Sequence, residues 1–180
     1  MTRLFSYVVD HDYGVAPNPF GGFCTLAKCK YSKSGRRNIV ELAEEGDWVV
    51  GTGGSDTKKS AGHGKLIYAM RVDEKLPLAA YFHDKRFRGR PDNGEANRLD
   101  RFALVSQHFF YFGRNAISID KIPKGHLIHP IEKKGPGFRS DFSQQFIDDF
   151  MKWLESNYRV GIHGLPCGVR EDVLIQILRV

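Results

Sequence analysis

The sequence has only three cysteines, Cys24, Cys29 and Cys167, an odd number and too few for a disulfide framework. They read as thiols in a reducing compartment. No apolar run approaches the roughly 20 residues that a membrane helix needs. The opening stretch, MTRLFSYVVDHDYG, lacks the apolar segment and small-residue cleavage site of a secretory leader, so a cytoplasmic protein with no membrane partner is expected. Internal repeats and low-complexity tracts are missing as well.

Catalytic and cofactor signatures are equally sparse. GTGGSDTKKSAGHGK has the composition of a phosphate loop but not its G-x-x-x-x-G-K-[ST] spacing. Cys24, Cys29, His163 and Cys167 form a C-x4-C pair and an H-x3-C pair far apart, and neither matches a zinc knuckle. Asp47, Asp56, Asp73 and Glu74 make no paired-carboxylate pattern. Cys24, which follows a double glycine in FGGFCTL, invites a nucleophile role with His11, His63, His83 or His108 as base. No spacing selects one histidine, and a small buried hydrophobe is the simpler reading of the thiol. Nothing here calls for a metal or a cofactor.

What is present is an ordinary globular balance, 41% hydrophobic and 27% charged, over 180 residues. That length supports one domain with its own core. The 27 Lys+Arg against 21 Asp+Glu give a net charge of +6, which favours polyanionic partners. The basic residues are unevenly spread. CTLAKCKYSKSGRR carries Lys28, Lys30, Lys33, Arg36 and Arg37 with no acid among them.

Periodicity predicts an α+β domain. LFSYVV over residues 4–9 reads as a strand, followed by the loop HDYGVAPNPFGG, in which Gly21 and Gly22 permit positive φ or close approach to a ligand. A short helix is expected from about residue 37 to 45, then a buried strand in DWVVGTGG. A polar, flexible connection then leads to the alternating strand KLIYAMRV, making a hairpin with a long tip. Residues 82–101 read as an exposed charged insertion, and FALVSQHFFYFG as one aromatic strand over 102–113. Phe142, Phe146, Phe150, Leu154 and Tyr158 recur every four residues, predicting an amphipathic helix over about 140–158, capped by Ser140 or Ser143. REDVLIQILRV ends the chain as a strand or a short helix.

The ordered blocks APNPFGGFCTLAKCK, EEGDWVVGTGG, GKLIYAMRVDE and HFFYFG resemble the second nucleotide modification associated domain family. That resemblance implies a setting beside DNA base modification in phages or bacteria, not a reaction. The helix-GDWVV-turn-strand order is also similar to the PUA-like group with EVE and ASCH domains. It implies a small mixed or antiparallel β-barrel with flanking helices, of the kind that binds nucleic acid or modified bases. The charged stretch 82–101 aligns with neither group.

In such a barrel, a base-binding pocket needs an aromatic face and a few fixed polar groups. Trp48, Phe20 and Tyr111 are candidates for the face, and Asn18, Asp47, Thr52 and the backbone of Gly21, Gly22, Gly53 and Gly54 for the polar contacts. The competing reading makes Trp48 and Tyr111 core residues and the glycines plain turns. Lys28, Lys30, Arg36, Arg37 and Lys65, with Lys58 and Lys59, are candidates for phosphate contacts, against the alternative of a solvated surface. The expected partner is a nucleic acid or nucleotide. Three roles follow: a reader of a nucleotide or modified base whose two glycine loops converge beside Trp48; an enzyme using Asp47, Cys24 or His108 near the same loops; or an assembly partner of a modification enzyme.

Overall fold

A computed structural model describes residues 1–27, 38–90, 92 and 101–169. Ten strands and three α-helices form a mixed α+β architecture among these residues. The strands are β1 (Leu4–Val9), β2 (Cys24–Leu26), β3 (Trp48–Gly53), β4 (Lys65–Arg71), β5 (Glu74–Pro77), β6 (Phe102–Ser106), β7 (Phe109–Tyr111), β8 (Ile117–Ser118), β9 (Phe138–Arg139) and β10 (Gly161–Ile162). The helices are α1 (Ile39–Leu42), α2 (Leu78–His83) and α3 (Gln144–Asn157). No helix among the described residues is long and apolar enough to cross a membrane.

A seven-stranded sheet runs β10-β7-β4-β3-β1-β9, with β8 also on β4, and a separate three-stranded sheet runs β2-β6-β5. The expected closed barrel is replaced by two open sheets. The large sheet stops at β9 and β10, each two residues long, and its central β1–β3 pair is parallel, from Leu4↔Trp48 to Val9↔Gly53. The aromatic run is also divided: β6 belongs to the small sheet and β7 to the large one. Asp73 holds the crossover, its Oδ2 accepting from the backbone N–H of Gln107 at 2.7 Å and His108 at 3.2 Å.

Strand alternation distributes the core over four layers. Leu4, Trp48, Val50, Ala69, Phe110 and Phe112 meet Phe146, Ile147, Phe150, Met151 and Leu154 of α3 on one face of the large sheet. On the other face Phe5, Tyr7, Val9, Val49, Tyr68 and Met70 pack against Cys24, Leu26 and Leu104 of the small sheet. Ala103 and Val105, the alternate residues of β6, face Leu78, Tyr81 and Phe87 beyond it. Both faces of β3 and β4 are covered, which is why these strands read as nearly continuous apolar runs.

The C-terminal helix forms where its four-residue period predicts, and Ser143 caps it by accepting from Phe146 N–H at 3.2 Å. The earlier helix shrinks to the single turn of α1, with Asn38 as its cap. The β3–β4 hairpin forms in antiparallel register, but its tip is anchored instead of free. Ser60 Oγ accepts from Gly54 N–H at 2.8 Å and donates to the Val9 carbonyl at 2.6 Å. Of the expected insertion 82–101, residues 82–90, 92 and 101 are described: 82 and 83 end α2, and Phe87 and Asp92 are buried instead of solvated. The terminal segment 170–180 lies outside the described residues.

Candidate functional site

The loop that leaves β1 is fixed at two buried points. The first is Asp12, fully buried. Its backbone N–H donates to the Lys59 carbonyl at 2.7 Å, and its carbonyl accepts from Gly168 N–H at 2.9 Å. Its carboxylate accepts from the Tyr111 hydroxyl and from Cys167 N–H at 3.0 Å. One side chain thus ties β1's exit to β7 and to the segment after β10. Burial pushes the Asp12 carboxyl above its usual range, outweighing the hydrogen bonds from Tyr111 and Cys167 that act the other way. Burial, with the Asp12 charge second, raises the Tyr111 hydroxyl in turn.

The second point is Asn18. It exchanges backbone hydrogen bonds with Thr25, accepts Phe20 N–H on Oδ1 at 3.1 Å, and donates Nδ2 to Asp92 Oδ1 at 3.1 Å. Arg90 fans over the same turn, donating to the carbonyls of Phe20 (2.5 Å) and Asn18 (2.9 Å) and to Thr25 Oγ1 (3.1 Å). Its charge is met by Asp92 at 3.3 Å, which also accepts the Tyr81 hydroxyl at 2.7 Å and that of Thr25.

Between these anchors and β1 opens a cleft of about 590 Å³, lined by Tyr7, Val8, Val9, Asp10, His11, Tyr13, Val15 and Ala16. It lies at the carboxyl ends of the parallel β1–β3 pair, a rim that open sheets commonly use for ligands. His11 and Tyr13 stack with centroids 5.7 Å apart and planes at 27°, and both are exposed. Asp10, exposed beside them, makes no ion pair or hydrogen bond among the described residues. At the floor the Tyr7 and Tyr68 hydroxyls share a 2.8 Å hydrogen bond. Gly51 permits it, since a Cβ there would lie 2.4 Å from the Tyr68 ring. The tip carrying Lys58 and Lys59 is joined to the loop after β1 by the hydrogen bond from Asp12 N–H to the Lys59 carbonyl.

The residues singled out from sequence divide. Gly53 and Gly54 reach this rim: a Cβ on Gly54 would stand 2.7 Å from Asp10 Oδ1, and one on Gly53 only 1.9 Å from the Gly62 carbonyl oxygen. Thr52 is buried beneath them and donates to the Tyr7 carbonyl at 3.2 Å. Asn18 and Phe20 are buried within the loop, while Gly21 and Gly22 are exposed at φ of 70° and 81°. Lys65 opens β4 opposite Ser118, half-buried.

Trp48 and Asp47 are elsewhere. They stand at the start of β3, five residues and about 17 Å of strand from Gly53. Trp48 stacks on Phe110 at 6.4 Å beneath α3, whereas Tyr111 points to the opposite face of the sheet. Asp47 is buried and held by Arg3 at 2.6 Å and by Glu44 N–H at 2.9 Å. Gly53 and Gly54 thus stand near Val9 and Asp10 and not beside Trp48, whereas Gly21 lies against Arg90 at the Asn18 turn. Lys28, Lys30, Arg36 and Arg37 lie outside the described residues, as does Cys29. Cys24 is fully buried, and burial pushes its thiol far up, a poor setting for a nucleophile. Cys167 is pushed up to about 12, again chiefly by burial. Among the described residues no group of three His, Cys, Asp or Glu side chains gathers as a metal site.

Asp10, Asp12, Tyr13, Arg90 and Asp92 escape a reading built on glycine loops. The signal for the first three was the polar cluster DHDY directly after the apolar strand LFSYVV, at the mouth of the glycine loop. Arg90 and Asp92 carry no local signal, because their partners lie some 70 residues away.

No curated protein and no solved structure matches the chain. The family described as nucleotide modification associated domain 2 matches residues 1–102 and 90–173, which takes in both sheets, the cleft and α3. On that match, the chain belongs to the nucleotide modification associated domain 2 family.

Proposed function

We propose that this protein is a binding module for a nucleotide or a modified nucleic-acid base, and that the cleft beside β1 is where the base is held. The observation that carries the reading is the exposed His11–Tyr13 stack on the wall of a 590 Å³ cleft. Stacking on aromatic rings is the general means by which proteins hold unpaired bases, and Tyr7 with the valines supplies the apolar remainder of the wall. Lys58 and Lys59, on the hairpin tip joined to the loop after β1, offer positive charge suited to a phosphate. The family's link with nucleotide modification favours the same ligand class, including a base extruded from DNA.

Titration calorimetry of the full chain with nucleoside monophosphates and short single-stranded DNA at low salt tests the reading. Saturable binding is expected. Tyr13→Ala should weaken it about 10-fold or more, the worth of one base–aromatic stack. Absence of binding to every nucleotide and DNA would remove the proposal. Mass spectrometry on the same mixtures gives the enzymatic alternative its chance, since a new covalent product would replace a reader with a catalyst.

A further inference from the structure

Among the described residues, the cleft carries the carboxylate of Asp10 beside its aromatic face without a partner. An ionised carboxylate offers two adjacent acceptors and no donor. Asp10 is exposed and lines the cleft, its Oδ1 packed close against the Gly54 backbone, and it makes no hydrogen bond or ion pair among the described residues. A base stacked on this wall would therefore present its edge to two acceptors side by side.

Only one of the common bases fits such an edge. Adenine and cytosine each put a ring-nitrogen acceptor next to their amino donor, so one carboxylate oxygen would face a lone pair. Uracil and thymine place a single N–H between two carbonyls. Guanine alone shows two neighbouring donors, N1–H and the N2 amino group, in the spacing that a carboxylate accepts bidentately.

We infer that Asp10 selects guanine, or a modified purine that keeps guanine's Watson–Crick edge, by accepting from N1–H and N2–H while the base lies on the His11–Tyr13 wall. The inference rests on the nucleotide-binding reading above. Val8, Val9, Val15 and Ala16 make the surroundings apolar, which strengthens a charge-assisted pair relative to the same pair in water.

The test is titration calorimetry with GMP, dGMP, IMP, AMP, CMP and UMP on the wild-type chain and on Asp10→Asn and Asp10→Ala, with thermal unfolding to establish that both variants are folded. GMP and dGMP should bind alike. IMP, which lacks the N2 amino group, should bind about 10-fold more weakly, and AMP, CMP and UMP about 100-fold more weakly, as expected for loss of one or both hydrogen bonds to a charged acceptor. Both variants should lose the preference for GMP and keep the weak binding common to all bases. Equal affinity for all nucleotides would overturn the inference and leave the binding module standing. A preference for ribose over deoxyribose with no choice among bases would overturn it too, since the carboxylate would then be reading a diol. A GMP preference that survives in both variants removes Asp10 from the reading, and no binding by any nucleotide removes the site itself.

Discussion

Single residues carry the geometry of the cleft, and Asp12 does so from a position with no solvent contact. Burial raises its pKa above the ordinary 3.8. The folded state therefore holds a proton that the unfolded chain gives up earlier, so the contribution of Asp12 to stability is greatest below 3.8. It declines as pH rises through the elevated folded value. An asparagine in its place would resemble the protonated acid and titrate nowhere. Urea denaturation of wild type and Asp12→Asn across a pH series should show the difference shifting in favour of the variant as pH rises above about 4. Glu74 and Asp84, held below their usual range by Arg86, oppose this trend in both proteins alike, so the difference between the two isolates Asp12. A constant offset with no pH shift would mean that the Asp12 carboxyl titrates alike in the folded and unfolded protein.

At the scale of elements, the loop 10–22 owes its shape to a segment some 70 residues later. Arg90, its side chain 10% exposed, meets four loop and strand acceptors besides Asp92, which is fully buried. Arg90→Ala would strand the Asp92 charge and several carbonyls without a donor. A cost of about 3–5 kcal/mol is expected in chemical denaturation. Arg90→Lys should recover little of it, because one ammonium cannot span the directions that a planar guanidinium covers. The charge pattern of 82–101 made that stretch look like a solvated insertion, and Arg86 does sit at the surface between Glu74 and Asp84. The neighbouring Arg90 does the reverse. Alternate spacing along the chain says nothing about which arginine meets a buried carboxylate. By contrast α3 was legible from its amphipathic period, which dictates the side that meets a core whatever the partner is, and β3 and β4 from short apolar runs bounded by turn residues.

For the molecule as a whole, net charge and sheet arrangement matter together. The +6 balance and the lysines on the β3–β4 tip predict that affinity for single-stranded DNA falls as salt rises, whereas affinity for a mononucleotide falls less. Calorimetry at about 50 and 200 mM salt measures both slopes. A salt-independent affinity for DNA would mean that the base is held without help from phosphate contacts.

The sequence by itself determined the α+β class, the β3–β4 hairpin, the C-terminal helix and the family resemblance. Each depends on local periodicity, turn chemistry or the order of motifs. Tertiary structure alone decided that the sheets stay open, that Trp48 and Tyr111 face opposite layers, and that the cleft is walled by His11, Tyr13 and Asp10. Those outcomes depend on which strand lies beside which and on contacts across scores of residues, and neither quantity is encoded in the spacing of neighbours along the chain.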